Sequence, residues 1–154
     1  MSDELTELKK LRVSHFTEMA KFIRTLQKRF GDEVYQIIAK QNGERAFAEW
    51  KNISEKSGNN SIDNLIKFLW EPLKKDGFEY EVEKTELGIQ MKCTHCSFYD
   101  MAKHFGVTDE AFYMICEADP YITEGFNSNI GLKRTKTLMQ GHDCCDHFYY
   151  LKNK

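Results

Sequence analysis

The fold class is decided by residues 78–93, whose sequence is FEYEVEKTELGIQMKC. Apolar side chains alternate with charged or polar ones over 78–83 and again over 87–93, and a turn is predicted at 84–86. Alternation with a period of two is typical of strands that bury one face. The segment therefore predicts a β-hairpin. Cys93 continues the apolar phase and is expected to point into the buried face.

Before this hairpin, apolar side chains recur every three or four positions, which predicts three amphipathic helices. The first helix extends from about residue 3 to 29 and ends at Gly31. The second follows it directly, with a break predicted at Asn42-Gly43. The third begins after Ser61 and is expected to end at Glu71-Pro72, because a proline disfavours the helical conformation of the residue before it.

After the hairpin the sequence pattern changes several more times. The predicted elements are helices over 97–105 and 109–118, a loop through Pro120, Gly125 and Asn127, and strands over about 130–138 and 144–151. Three helices, a hairpin, two short helices and a second hairpin predict an α+β fold with a small antiparallel sheet. We expect one domain, 1–154, in which a helical half, 1–75, supports a cysteine-rich half, 76–154, that carries the site.

The composition argues against several classes of protein. The chain of 154 residues has a formal net charge of −2, so it lacks the basic surface typical of nucleic-acid-binding proteins. It has no apolar run of about 18 residues that would span a membrane, and its polar start is unlike a secretory signal. Five cysteines, an odd number, then indicate reduced thiols in the cytosol rather than a disulfide framework.

The residues with reactive side chains concentrate near the C-terminus, in the sequence GHDCCDHFYY of residues 141–150. Adjacent residues of a strand point to opposite faces, so Cys145 and His147 share one face while Cys144 and Asp146 share the other. The sequence leaves open which face is buried. Cys145 and His147 make the better pair of ligands, because thiolate and imidazole both suit a borderline-soft metal.

A metal site is one interpretation of these residues. If Cys93, Cys116 and Cys145 converge, they offer three soft ligands and an open fourth position, and His147 is a further candidate ligand. One divalent metal, zinc before any other, would then lower the pKa of a bound water and make a hydroxide nucleophile. An iron–sulfur cluster is the less favoured cofactor.

A metal-free alternative uses one cysteine as the nucleophile. His147 or a helix terminus would activate the thiol. Asp119, Asp143 or Asp146 would act as a general base or orient a histidine. Arg134, if it faces inward, would bind a substrate carboxylate.

Less specific interpretations stand beside these. Cysteine is among the most frequently buried residues, so each thiol alone is also explained as a small core residue. A structural zinc ion that links the two hairpins is another interpretation. The alternative function is a non-catalytic sensor or binding protein for a metal, an iron–sulfur cluster or a small ligand. Exposed apolar positions on the first helix would favour it, and they would also suit a homodimer.

Three segments carry a resemblance to a known family. They are Cys93 at the end of a strand, Cys116-Glu117-Ala118-Asp119, and the run from Arg134 to Leu138 that leads into Gly141-His142-Asp143-Cys144-Cys145-Asp146. These segments resemble the L-2-amino-thiazoline-4-carboxylic acid hydrolase family, whose C-terminal signature is Gly-x-Asp-x-Cys-Asp before an aromatic strand. His147 stands where that family usually has phenylalanine.

The resemblance implies a hydrolase that opens the ring of a thiazoline acid and gives an N-carbamoyl-cysteine. The positions that it implicates are Cys93, Cys116, Asp119, Asp143, Cys145 and Asp146, with Arg134 as a contact for the carboxylate. The combined prediction is a cytoplasmic C–N hydrolase of a small cyclic amidine or thiazoline amino-acid derivative. Asn127 is a second predicted substrate contact. The expected partner is the small-molecule substrate rather than nucleic acid or a membrane, with a homodimer left open.

Overall fold

The structure is a computed structural model that describes residues 2–152, with side chains described from residue 6 onward. Its elements are α1 (Ser2–Phe30), α2 (Glu33–Ser57), α3 (Ile62–Lys75), β1 (Glu79–Lys84), β2 (Ile89–His95), α4 (Ser97–His104), α5 (Thr108–Met114), α6 (Asp119–Phe126), β3 (Ile130–Lys133) and β4 (Cys145–Leu151). Two short 3-10 turns lie at Cys116–Ala118 and Leu138–Gln140. The predicted α+β class is confirmed. No helix among the described residues is both long and apolar enough to cross a membrane.

The four strands form one antiparallel sheet in the order β1-β2-β4-β3, so β2 and β4 are central. The register of the central pair places Cys93 opposite Cys145 and Met91 opposite His147. The predicted hairpin is present as β1 and β2. Leu87 was expected within its second strand but lies in the turn and is 79% exposed.

The core covers one face of this sheet. Cys145, His147 and Tyr149 of β4 are only 9, 6 and 0% exposed, which settles the face that the sequence left open. Apolar side chains of α3, α6 and the end of α2 pack against this face. A second, smaller cluster joins α1, α4 and α5. The cysteine-bearing strands therefore lie inside the fold rather than at its edge.

The break predicted at Asn42-Gly43 is wrong, since α2 is continuous through both residues. Gly43 instead allows α6 to approach α2, because a Cβ atom there would lie 2.4 Å from the ring of Tyr121. Gly125 of α6 allows the reciprocal approach, as its Cβ would lie 2.4 Å from the carbonyl oxygen of Phe47. This close packing fixes α6, whose first residue is Asp119.

The proline signals were also misleading. Helix α3 passes through Pro72 to Lys75, because Trp70 is buried beside it and the proline removes only the backbone hydrogen bond to Phe68. The loop predicted through Pro120 is helix α6. Pro120 lies in its first turn, where a backbone N–H is not needed.

Two further boundaries differ from the prediction. Helix α5 ends at Met114, so Cys116 opens a 3-10 turn instead of lying in a helix that extends to residue 118. Strand β3 ends at Lys133 rather than near residue 138. The chain leaves the sheet there because Arg134 turns toward the buried cysteines, as described below.

Candidate functional site

Four of the five cysteines lie together at one end of the central strands. Cys93 lies two residues before the end of β2, Cys145 begins β4, Cys96 precedes α4 and Cys116 begins a 3-10 turn. Each is close enough to another for its charge to change that neighbour's pKa. All are free thiols. Cys144 instead responds to Asp143 and the surface lysines. We call the first four residues the thiol cluster.

Cys145 is the thiol of the cluster whose pKa is lowered, so it is the one that ionises most readily. The backbone N–H of Leu138 donates a hydrogen bond to its sulfur at 3.2 Å. Cys93, opposite in the sheet register, is the main reason that the pKa of Cys145 lies well below its usual value, although the Cys93 thiol itself is placed to donate to the carbonyl oxygen of His95 at 3.2 Å. Burial acts in the other direction but is outweighed.

The other thiols of the cluster are held in the neutral form. Its interaction with Cys145, together with burial, raises the pKa of Cys93. Burial raises the pKa of Cys96 to about 11 and that of Cys116 well above its usual value. One negative charge on Cys145 disfavours a second charge nearby. The cluster therefore offers one thiolate with neutral thiols around it.

Beside Cys145, His147 forms a pair with a carboxylate from α6. Its Nε2 atom lies 2.8 Å from Oδ2 of Asp119. Burial raises the pKa of Asp119, but hydrogen bonds and charges from His147 and Arg134 outweigh it and leave the pKa below its usual value. The carboxylate is thus ionised and occupies the Nε2 side of the ring, so that Nδ1 is the nitrogen left for another partner.

That second nitrogen has no partner. Nδ1 of His147 is fully buried and forms no hydrogen bond within the part of the chain that the structure describes. The imidazole is held on its edge by Trp70, with the two ring centres 5.0 Å apart. Trp70 in turn donates from Nε1 to the hydroxyl of Tyr149 at 3.1 Å. A buried ring nitrogen without a partner, beside Cys145, is what a site that receives a polar ligand would contain.

Arg134 faces inward, as the sequence suggested, but its donors are used within the protein. Its guanidinium contacts Oδ2 of Asp119 at 2.5 Å, Oε1 of Glu117 at 3.0 Å and the carbonyl oxygen of Cys116 at 2.6 Å. The side chain is only 11% exposed. These contacts give Arg134 a positioning role toward Asp119 and the turn of Cys116. Its predicted contact with a substrate carboxylate stays a prediction.

Asp146 also makes structural contacts. Its carboxylate accepts hydrogen bonds from the backbone N–H groups of Thr135 and Lys136, at 2.7 and 2.5 Å, and from the hydroxyl of Thr135 at 2.5 Å. These bonds hold the segment that follows Arg134. Asp143 lies on the surface and forms an ion pair with Lys136 at 3.1 Å.

The structure does not bring Asn127 into the thiol cluster. Its side chain donates to the carbonyl oxygen of Asn60 at 2.9 Å and accepts from the backbone N–H of Asn129 at 2.9 Å. These contacts tie the loop after α6 to the loop before α3. A role of Asn127 in substrate binding stays a prediction.

Sequence reasoning missed several parts of the site. The N–H of Leu138 carries no sequence signal, because its role depends on where a backbone turn meets a sulfur. The apolar spacing of the third helix predicts only burial for Trp70. The C-x2-C spacing of Cys93 and Cys96 is a weak signal by itself, although it does bring two thiols to the same strand end.

The donor set does not form a metal site. Among residues 2–152, no group of three or more histidine, cysteine, aspartate and glutamate side chains could hold a metal ion. The predicted ligands Cys93, Cys116, Cys145 and His147 therefore lack the required arrangement. A bound zinc ion or iron–sulfur cluster stays a prediction, and we derive no step through one.

Comparison with known proteins gives one match. A family model described as L-2-amino-thiazoline-4-carboxylic acid hydrolase matches residues 12–149 of the 154. The match includes the thiol cluster, the Asp119–His147 pair and Arg134. A search of curated proteins finds no match.

Proposed function

Because the chain belongs to the L-2-amino-thiazoline-4-carboxylic acid hydrolase family, we propose that it hydrolyses a small cyclic amidine acid of the thiazoline kind. The observation that carries this proposal is the environment of the buried sulfur of Cys145, which accepts a hydrogen bond from the Leu138 N–H at 3.2 Å and lies opposite Cys93 in the sheet. Such a donor stabilises a thiolate, which is the reactive form of cysteine.

Cys145 is the proposed nucleophile. Its sulfur attacks the amidine carbon between the ring sulfur and the ring nitrogen, forming a C–S bond while the C=N electron pair moves onto nitrogen, which takes a proton. The resulting tetrahedral intermediate then expels the ring sulfur, which leaves as a thiol after protonation. The enzyme now carries an isothiourea on Cys145.

His147 is the proposed acid and base of both halves, because it lies two positions from Cys145 on the same face of β4, roughly 7 Å along the strand. In the first half its Nδ1 takes the proton of the Cys145 thiol as the thiolate forms and gives it to the ring nitrogen, and the amino nitrogen of the intermediate supplies the proton of the departing ring sulfur. Nδ1 accepts a proton from the incoming water as it adds to the isothiourea carbon. Cys145 leaves as thiolate, and the product is a urea. The overall reaction of the two halves adds one water molecule to the substrate, with no change in oxidation state.

Asp119 acts on this histidine rather than on the substrate. As an ionised carboxylate bonded to Nε2, it holds the tautomer in which Nδ1 is the free base and stabilises the positive charge when Nδ1 takes a proton. Arg134 fixes the position of the carboxylate.

Atom balance changes one part of the sequence prediction. Formation of an N-carbamoyl-cysteine from a 2-aminothiazoline breaks the bond from the amidine carbon to sulfur, and both of its bonds to nitrogen are kept. We therefore propose C–S cleavage at this carbon in place of the predicted C–N cleavage. Ring opening at the C–N bond would give a free primary amine with the carbamoyl group on sulfur, whereas ring opening at the C–S bond gives a new thiol with the carbamoyl group on nitrogen.

Turnover of L-2-amino-thiazoline-4-carboxylate tests the function. We expect the wild-type protein to produce one new thiol and one N-carbamoyl group per substrate, and Cys145→Ser to lose the activity. Cys144→Ser is the matched control, since this neighbouring thiol lies outside the cluster. Retention of activity in Cys145→Ser would exclude Cys145 as the nucleophile.

A second candidate function has one observation in its favour. Helix α1 exposes large apolar side chains, including Leu11 at 65%, Phe22 at 58% and Phe30 at 67%. Such a surface suits a partner or a second copy of the chain, as in a sensor that reports ligand binding. Two measurements separate this function from the hydrolase. A sensor would show colour or a melting temperature that falls with chelator, and no turnover of the thiazoline acid.

A further inference from the structure

A groove on the helical side of the molecule has the properties of a ligand site. It lies between α1, α2, α4 and the end of α5 and encloses about 550 Å³, within the range of small-molecule pockets. Its apolar lining residues are Val13, Phe16, Met19, Phe98, Met101, Met114 and Ile115. Phe98 and Met19 are each 39% exposed. An open apolar lining of this size is suited to a hydrocarbon or aromatic group.

The charged residues of the groove are two arginines, Arg12 and Arg45, and none of its described lining residues is acidic. Neither Arg12 nor Arg45 forms an ion pair or hydrogen bond with any residue that the structure describes. Arg24 and Arg134, in contrast, are each bonded to a carboxylate. Two guanidinium groups without partners at an apolar groove complement an anionic group, and a carboxylate fits them best.

The groove is adjacent to the thiol cluster in the fold. Ile115 directly precedes Cys116, and Phe98 lies two positions after Cys96. Cys116 packs against the same buried cluster as the groove residues Phe16 and Met114. The side chain of Asn42 donates to the carbonyl oxygen of Met114 at 3.2 Å and so fixes α2 to this wall. A ligand in the groove would therefore contact the helix ends that carry two of the four thiols.

We propose that this groove binds a carboxylate with an apolar substituent, held by Arg12 and Arg45. The inference deepens the proposed function and rests on it for one point, the identification of that carboxylate with the substrate. It names a substrate class, namely cyclic amidine acids that carry an apolar group larger than the bare thiazoline ring. It also explains how the substrate carboxyl group is bound while Arg134 is occupied by Asp119 and Glu117.

Calorimetric titration with octanoate tests the groove without any turnover. We expect the wild-type protein to bind octanoate, and octylammonium to bind at least about tenfold more weakly. The double variant Arg12→Ala/Arg45→Ala should lose about tenfold or more in affinity for octanoate, since two charge-assisted contacts are removed. Arg29→Ala is the matched control, because Arg29 lies on α1 against Phe30 and away from the groove.

Three results would overturn the inference. They are the absence of octanoate binding to the wild type, equal binding by octylammonium, and unchanged binding by the double variant. If light scattering instead finds a dimer that the double variant dissociates, the groove is a protein interface and the inference is also wrong.

The catalytic proposal can fail separately. Cys145→Ser should bind octanoate normally, because the titration does not use the nucleophile. Octanoate binding without thiazoline turnover would support the groove as a carboxylate site and contradict the proposed hydrolase activity. Turnover with an unchanged KM in the double variant, for substrates with and without an apolar substituent, would support the hydrolase activity and contradict the groove as the site that binds the substrate carboxylate.

Discussion

The Nε2 atom of His147 lies 2.8 Å from a carboxylate oxygen of Asp119, although the two residues are 28 positions apart in the sequence. His147 comes from the central strand β4 and Asp119 from the first turn of α6. The close packing of α6 against α2, at Gly43 and Gly125, positions this carboxylate. The pair defines which nitrogen of the histidine is free to act as a base.

Substitution Asp119→Asn tests that pair. The amide cannot hold the same tautomer or stabilise an imidazolium, so we expect kcat to fall by about 10²- to 10⁴-fold with the fold retained. Glu117→Gln is the matched control, since Glu117 contacts Arg134 but not His147. Equal losses in the two variants would show that the carboxylates act only by holding Arg134. A pH–rate profile that changes shape in Asp119→Asn alone would support the assigned role.

Alkylation with iodoacetamide tests the effect of Cys93 on the ionisation of Cys145. The pKa of Cys145 is below its usual value, so its reaction rate should rise with a midpoint well below the value of about 8.5 for a free cysteine. Cys93→Ala removes the neighbouring thiol and should move the midpoint upward. Cys93→Ser keeps a polar hydrogen at this position and should leave the midpoint close to that of the wild type. Equal midpoints in all three proteins would contradict the effect assigned to Cys93.

Asp146 is predicted to act on stability. Asp146→Ala leaves the backbone N–H groups of Thr135 and Lys136 without their acceptor, and we expect the free energy of unfolding to decrease by about 2–3 kcal/mol. Asp143→Ala, which removes one exposed ion pair, should leave the free energy of unfolding essentially unchanged. Denaturant unfolding of both variants measures the difference. An Asp146→Ala protein of normal stability and no activity would instead support its predicted role in proton transfer.

The fold shows which signals in the sequence are local. The alternation over residues 87–93 identified the face of Cys93, because side-chain direction in a strand follows from the backbone alone. The strand predicted over 130–138 failed after Lys133, because contacts of Arg134 and Asp146 with distant residues pull the chain away from the sheet. Those contacts join residues 10 to 15 positions apart and leave no periodic pattern.

In the site, too, features set by neighbouring residues could be predicted from the sequence, whereas features set by distant contacts could not. The shared face of Cys145 and His147 could be predicted, since the two are separated by one residue of a strand. The approach of Asp119 to His147 could not, because it depends on a helix in a segment predicted as a loop. The donor to Cys145 from Leu138 was also beyond reach, since a backbone N–H is present at every residue except proline.

A buried ion pair away from the thiol cluster gives a prediction about pH. Glu110 is 1% exposed and accepts hydrogen bonds from Arg24 and from the hydroxyl of Tyr35. Burial raises the pKa of Glu110, but Arg24 and Tyr35 outweigh it and lower the pKa below its usual value. The associated stability is therefore complete above the usual pKa of glutamate and is lost as the pH falls through the lower, folded-state value.

Glu110→Gln measures this contribution. We expect the free energy of unfolding of the variant to be about 2 kcal/mol lower than that of the wild type at pH 7. This difference in the free energy of unfolding should become smaller as the pH falls below about 4. Glu7→Gln, in the exposed pair with Lys10, should change stability by less than about 0.5 kcal/mol at either pH. If the difference in the free energy of unfolding did not depend on pH, the lower stability of Glu110→Gln would come from packing and not from charge.

Intact-protein mass spectrometry of an acid-quenched reaction with L-2-amino-thiazoline-4-carboxylate tests the assigned nucleophile most directly. We expect a fraction of the wild-type protein to gain the mass of one substrate molecule, with peptide mapping locating the adduct on Cys145. Cys145→Ser should show neither adduct nor turnover, and Cys144→Ser should show both. Turnover by Cys145→Ser, or an adduct on any other thiol of the cluster, would contradict the assignment of Cys145 as the attacking group.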